Sequence, residues 1–185
     1  MSFQNRAENL STNAGVSGDY LKNNGAGALC SWETPPFQQC AFSAYLTNTQ
    51  SNVTGAGTTY VVAGYTEEFD NGSDFDATTG QFTVPTTGKY FIAAGVSLGN
   101  LTVAMNSCEL RIRTPAARRL FITQSNPGAC QSSAGTFYTS SSQITALNSG
   151  DVLEVAVTVS NGAGDTASVN NNRGVTWFCA YFLGA

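Results

Sequence analysis

From Ala41 onward the chain is built of short runs in which apolar and polar residues alternate. In "AFSAYLT" (41–47), Phe42, Ala44 and Leu46 alternate with Ser43, Tyr45 and Thr47. A period of two predicts a strand with one face on a core. "TTYVVAGY", "GQFTVP" and "GKYFIAAGVSL" follow, the last two separated by a turn at 85–88. "CELRIRT" and "RRLFITQ" flank "PAA" and predict a hairpin, with Arg111 and Arg113 on the face opposite Leu110 and Ile112. "GTFYTSSSQITAL" leads into the turn "NSGD", and "VLEVAVTV" alternates cleanly. At least eight short strands at this spacing predict an all-β antiparallel sandwich or jelly roll over residues 39–185. No repeat of 20–50 residues is visible, which argues against a solenoid or propeller.

The closing strand breaks the pattern. In "TWFCAYFLGA", Trp177, Cys179, Tyr181 and Leu183 would share one face, and Phe178, Ala180 and Phe182 the other. Both faces are apolar, where a surface strand has one polar face. One set must meet the core and the other needs a second cover. Periodicity does not say which is which.

Residues 1–38 differ again. "STNAGVSGDYLKNNGAGALC" is rich in Asn, Gly and Ser, carries little periodicity, and is followed by Pro35–Pro36. The common reading of this composition is a flexible arm; the expectation here is an extended N-terminal arm outside the domain, held by a partner.

Composition narrows the function classes. Charged residues are only 11 % of the chain and the net charge is −4, so no nucleic-acid footprint is present. No apolar run reaches membrane-spanning length, and the polar start "MSFQNRAENLSTN" lacks the apolar centre of a signal peptide. With no histidine, Ser–His and Cys–His nucleophile pairs are excluded, so the chain is not expected to be an enzyme or to need a cofactor. The five cysteines (Cys30, Cys40, Cys108, Cys130, Cys179) are odd in number and form no C-x-x-C pair. Reduced, buried thiols are the expectation, with Cys30–Cys40 the first bridge to test.

The most informative stretch is "DNGSDFDATTGQFTVPTTGKYFI" (70–92). Its Asp70, Phe75, Phe82, Gly88 and Tyr90 fall at the spacing of the signature of the complement C1q globular head, and "TGQFTVPTTGKY" resembles the same segment throughout. "AFSAYLT", "GDVLEVAV" and "FCAYFL" are similar to the family's opening, penultimate and closing strands, in that order. The chain departs from the pattern at Gly64, where a Phe is expected, and at Ile92, where an aromatic is expected. There is also no collagen-like arm. The resemblance implies a C1q/tumour-necrosis-factor-like jelly roll that forms homotrimers, with the closing strand in the sheet facing the threefold axis. It places Phe42, Tyr90, Trp177, Phe178, Tyr181 and Phe182 in the core or the trimer interface. Locally, Phe82, Tyr90 and Ile92 are expected to face the core.

Two charge clusters remain. "EEFDNGSDFD" concentrates five of the twelve acids. The common meaning of such a run is a solvated loop, and the alternative is a calcium site on Asp70, Asp74 and Asp76. "RIRTPAARR" carries four of the eight cations. Arg111, Arg113, Arg118 and Arg119, with Phe3 and Arg6 in the arm, are candidate docking residues for an acidic neighbour. Asn-x-Ser/Thr sequons at Asn9, Asn52, Asn71 and Asn100 matter only on a eukaryotic secretory route. Together these features point to a structural virion protein, a trimeric capsid cement, decoration or head-fibre protein partnered with itself and a major capsid protein. The alternative is an extracellular C1q-like module that binds a host-surface glycan or a receptor.

Overall fold

The computed structural model describes residues 19–26, 30–33, 40–116, 119–162, 164 and 166–185. Fifteen strands lie among them: β1 (Tyr20–Lys22), β2 (Ser31–Glu33), β3 (Ala41–Tyr45), β4 (Gln50–Thr54), β5 (Thr59–Val61), β6 (Thr66–Asp70), β7 (Phe75–Asp76), β8 (Gln81–Thr83), β9 (Gly88–Gly99), β10 (Ser107–Arg113), β11 (Arg119–Ser125), β12 (Phe137–Leu147), β13 (Val152–Ser160), β14 (Ala167–Val169) and β15 (Trp177–Gly184). One helical turn, α1 (Pro127–Cys130), interrupts them; Asn126 caps it by accepting from the Ala129 amide, and Pro127 fits its first position. Among the described residues no helix is long and apolar enough to cross a membrane.

Strands β3 to β15 form two antiparallel sheets packed face to face, and β1 and β2 a separate pair. In the first, β9 is hydrogen-bonded along one edge to β12 and along the other to β15 and then β14. β3 and β6 continue outward from β15, and β4 from β14. The second runs β11–β10–β13–β8–β7, with β5 beside β13 beyond the end of β8. The alternation seen in the sequence sets the faces. Phe42, Ala44 and Leu46 are buried, as are Phe82, Tyr90 and Ile92. An aromatic cluster fills one end of the core: Phe42 stacks on Phe75 at 4.3 Å and meets Phe82 and Phe178 at 5.0 Å each, while Tyr90 meets Phe182 at 5.1 Å. Gly80, at φ +72°, leaves no room for a side chain, since an added Cβ would lie 2.3 Å from the Val62 carbonyl.

Four features differ from the sequence expectation. "TTYVVAGY" yields only Thr59–Val61 as strand, because the chain turns at Gly64 (φ +69°). Tyr65, beside the place of the expected Phe, is buried edge-on against Phe75 at 5.7 Å. β13 alternates in sequence but is buried on both faces, since Glu154, Ala156 and Thr158 lie between the long side chains of β10 on one edge and β8 and β5 on the other. Within the 1–38 segment, the described residues include an antiparallel hairpin, β1–β2, where the sequence suggested only extended chain. All five cysteines are free: Cys40 and Cys108 are buried and Cys179 is half-buried. Cys30 and Cys130 are exposed, so Cys30–Cys40 is not a bridge and burial is not general.

Candidate functional site

Strand β15 divides its side chains cleanly. Phe178, Ala180 and Phe182 are buried in the sandwich, whereas Tyr181 and Leu183 are 41 % and 48 % exposed on the opposite face. Trp177 and Cys179 share that outward face, half-buried. The sequence left open which set points inward; the aromatic core decides it, because Phe178 packs edge-on against Phe42 and Phe75.

Register turns the outward positions into rows. Tyr181 lies opposite Ala41 on one side and Phe91 on the other, and Phe91 lies opposite Ile144. Four adjacent strands therefore present Ala41, Tyr181, Phe91 and Ile144 side by side, and the last three are exposed. Directly opposed side chains on one sheet face are close enough to form a continuous surface. The next row is small: Ser43, Cys179, Ala93 and Ser142, with the exposed Phe69 beyond Ser43. The third holds Tyr45, Trp177, Gly95 and Ser140. Here the Trp177 indole lies against Gly95, its Nε1 2.6 Å from where a Cβ would stand. A cavity of about 380 Å³ opens beside it, lined by Tyr138, Ser140, Gly174 and Val175. Arg173 is paired with Glu68 and set 5.7 Å above the Tyr45 ring. Burial pushes the Cys179 thiol above its ordinary range.

The residues singled out from the sequence separate into two groups. Phe42, Tyr90, Phe178 and Phe182 belong to the sandwich core, while Trp177 and Tyr181 stand on the outward face. Phe91, Ile144 and Phe69 complete that face and were not singled out. The one signal for them was an apolar residue at an exposed parity position within a polar strand.

Two members of the arginine cluster are already paired within the chain. Arg111 pairs with Glu109, and Arg113 Nε donates to Glu154 Oε1 at 2.9 Å. Arg119 stands opposite Arg113 in register. Arg118, Phe3 and Arg6 lie outside the described residues. Two of the three candidate calcium carboxylates are likewise engaged within the chain. The Asp70 carboxylate accepts from the amides of Gly72 and Phe75, and Asp76 from those of Thr78 and Thr79, so both carboxylates close turns. Among the described residues no group of three acidic, cysteine or histidine side chains converges on a metal position.

No family model matches the sequence, and no curated protein matches it. Solved structures do share its fold. Murine APRIL at pH 8.0 superposes with a TM-score of 0.56 at 15 % identity, over 78 % of this chain and 98 % of its own. The globular domain of zebrafish complement 1qA protein superposes at 0.53 and 17 % identity, over 78 % and 97 %. The fold is a C1q/tumour-necrosis-factor-like jelly roll. At these identities the likeness is one of architecture.

Proposed function

We propose that the chain is a non-enzymatic homotrimeric module that assembles through the outward face of β12, β9, β15 and β3. The observation that carries this reading is the exposed row Tyr181–Phe91–Ile144, an apolar surface on a sheet whose other face is already buried. The C1q/tumour-necrosis-factor-like resemblance implies that this sheet faces a threefold axis, which would give each such row two neighbours. The trimer's task, in this reading, is structural: a capsid cement, decoration or head-fibre protein of a virion, tied to a major capsid protein by the N-terminal arm. The low charge and the polar arm support it. Light scattering on the purified protein tests the assembly, with three copies expected and a monomer at micromolar concentration fatal to it. Mass spectrometry of purified particles tests the location, and absence from them removes the virion role.

A second reading, an extracellular glycan- or receptor-binding head, has its own observation. Val103 is 82 % exposed on a turn pinned between buried Leu101 and Met105. The Leu101 amide donates to Gly135, and the Gly128 amide donates to Met105. A rigid loop tip that presents an apolar side chain suits recognition. Glycan-array or receptor binding that is lost in Val103→Asp would favour this reading.

A further inference from the structure

The cavity beside Trp177 is held open by the fold. Gly95 lines it, and its missing side chain gives the indole room to lie on the sheet. Tyr138 and Ser140 of β12 form one wall, and Gly174 and Val175 of the loop entering β15 form another. That loop is fixed on the sheet. Asn170 Nδ2 donates to Ser97 Oγ at 3.3 Å. The Thr176 hydroxyl donates to the Asn170 carbonyl at 2.6 Å and accepts from the Ser97 amide at 3.1 Å. The Val175 and Thr176 amides both donate to the Asn172 carbonyl at 3.1 Å. A wall braced in this way is formed before any ligand arrives, as small-molecule sites commonly are.

The polar groups at the cavity point to what it takes. The Trp177 Nε1–H, the Tyr138 hydroxyl and the Ser140 hydroxyl have no hydrogen-bond partner among the described residues, and none of the three is enclosed. Tyr138 is 60 % exposed. Among the described residues that line the cavity none is charged, and Arg173, next to Gly174, is already paired with Glu68. Two aromatic bodies, two hydroxyls and one indole N–H suit a neutral ring with C–H bonds on its face and hydroxyl groups on its edge. An ionised ligand would find no counter-charge there. An apolar side chain from another copy would cover the rings and strand the polar groups, which is costly.

We propose that this cavity binds one sugar residue of a neutral glycan, its ring against Tyr138 and Trp177 and its hydroxyls paired with Trp177 Nε1 and the Tyr138 and Ser140 hydroxyls. The inference rests on the glycan-binding reading and moves the site from the Val103 turn to the sheet face. It is compatible with assembly through the Tyr181 row. Trp177 stands four residues from Tyr181 along β15, about 13 Å at the rise of a strand. The row can meet its neighbours while the cavity lies at the other end of the face.

The test is an array on the full chain that carries neutral hexose and N-acetylhexosamine oligosaccharides beside sialylated and sulfated ones, with hits measured by isothermal titration calorimetry. Neutral glycans are the expected hits. Tyr138 is exposed on a strand that pairs only with β9, so Tyr138→Ala should keep the folded circular dichroism signal. It should weaken binding about tenfold or more. Trp177→Phe keeps an aromatic ring and removes the N–H, and should weaken binding less. Val103→Asp should leave the affinity unchanged. Binding confined to charged glycans overturns the inference, as does neutral binding that survives Tyr138→Ala. Loss in Val103→Asp with the other two variants unaffected also overturns it and leaves the glycan reading standing. No binding anywhere on the array removes both.

Discussion

The two sheets bury their inner faces in the same way and treat their outer faces in opposite ways. On the outer face of the β10–β13 sheet, Glu109, Arg111 and Arg113 lie over Thr158, Ala156 and Glu154 in register. Arg111 is paired with Glu109. Glu154 receives both Arg113 and, at 3.3 Å, Gln81, while Gln124 donates to Glu109 and Thr59 shares a hydrogen bond with Thr158. That network engages most of its polar groups, with Arg111 Nε left over, and Glu154 is only 4 % exposed. On the outer face of the β9–β15 sheet, the row Tyr181–Phe91–Ile144 meets water. A polar face can satisfy itself within one chain by hydrogen bonds, but an apolar face needs more surface than one chain has left. The contrast places the exposed apolar row on one sheet.

The sharpest way to break this contrast is to charge the two sides of β15. Phe178→Asp buries a carboxylate in the aromatic cluster and should abolish cooperative unfolding by circular dichroism, since an unpaired buried charge costs more than a domain of this size can spare. Tyr181→Asp should keep the folded signal and dissociate the trimer, as read by light scattering. Equal damage to folding in both variants would show that the outward face is structural. The next largest effect probes the β10–β13 sheet. Arg113→Ala strands the buried Glu154 carboxylate and should cost about 3 kcal/mol in urea unfolding, with no change in oligomeric state.

Smaller effects sharpen the picture. Burial pushes the Cys40 and Cys108 thiols up to about 12, and thiolate is the form that alkylates. At pH 8, iodoacetamide followed by mass spectrometry should label the exposed Cys30 and Cys130 and spare Cys40 and Cys108. Cys179 should be labelled in Tyr181→Asp but protected in the proposed wild-type trimer. The smallest effect is at the edge of the β10–β13 sheet. Hydrogen bonds from Thr79 and then Thr78 hold the Asp76 carboxyl below its ordinary range. A depressed carboxyl contributes stability above its unfolded value and loses that contribution as pH falls through the folded one. The urea midpoint of Asp76→Ala should therefore lie slightly below wild type at neutral pH and converge with it as pH falls through the carboxyl's lowered range.

Much of the architecture was legible because the strands that carry it alternate locally. Phe42, Phe82, Tyr90 and Ile92 were placed in the core from parity and from one stretch, 70–92. What was not legible depended on pairing between distant segments. Periodicity shows that Phe91 faces away from Tyr90, but only the register with β12 brings it beside Ile144. In β13, alternation assigned Glu154 to an outer face and could not show that Arg113 and Gln81 would cover it. The arginines looked free because Glu154 is 41 residues from Arg113. The hairpin at 20–33 was hidden by its length: three-residue strands carry too little pattern to separate from polar chain.

The position of β15 between β3 and β9 has a consequence for how the chain is made. The last strand in sequence is an interior strand of its sheet, so the edges of β3 and β9 that receive it stay unpaired until about residue 184 is available. A ribosome releasing the chain in order would hold a split sheet with two open edges and no place to put Phe178, while β10, β11 and β13 could already pair. Such long-range closure is slow and leaves strand edges open to other chains. Without β15 the sandwich cannot close over its core, so a segment made after all the other described strands completes this fold.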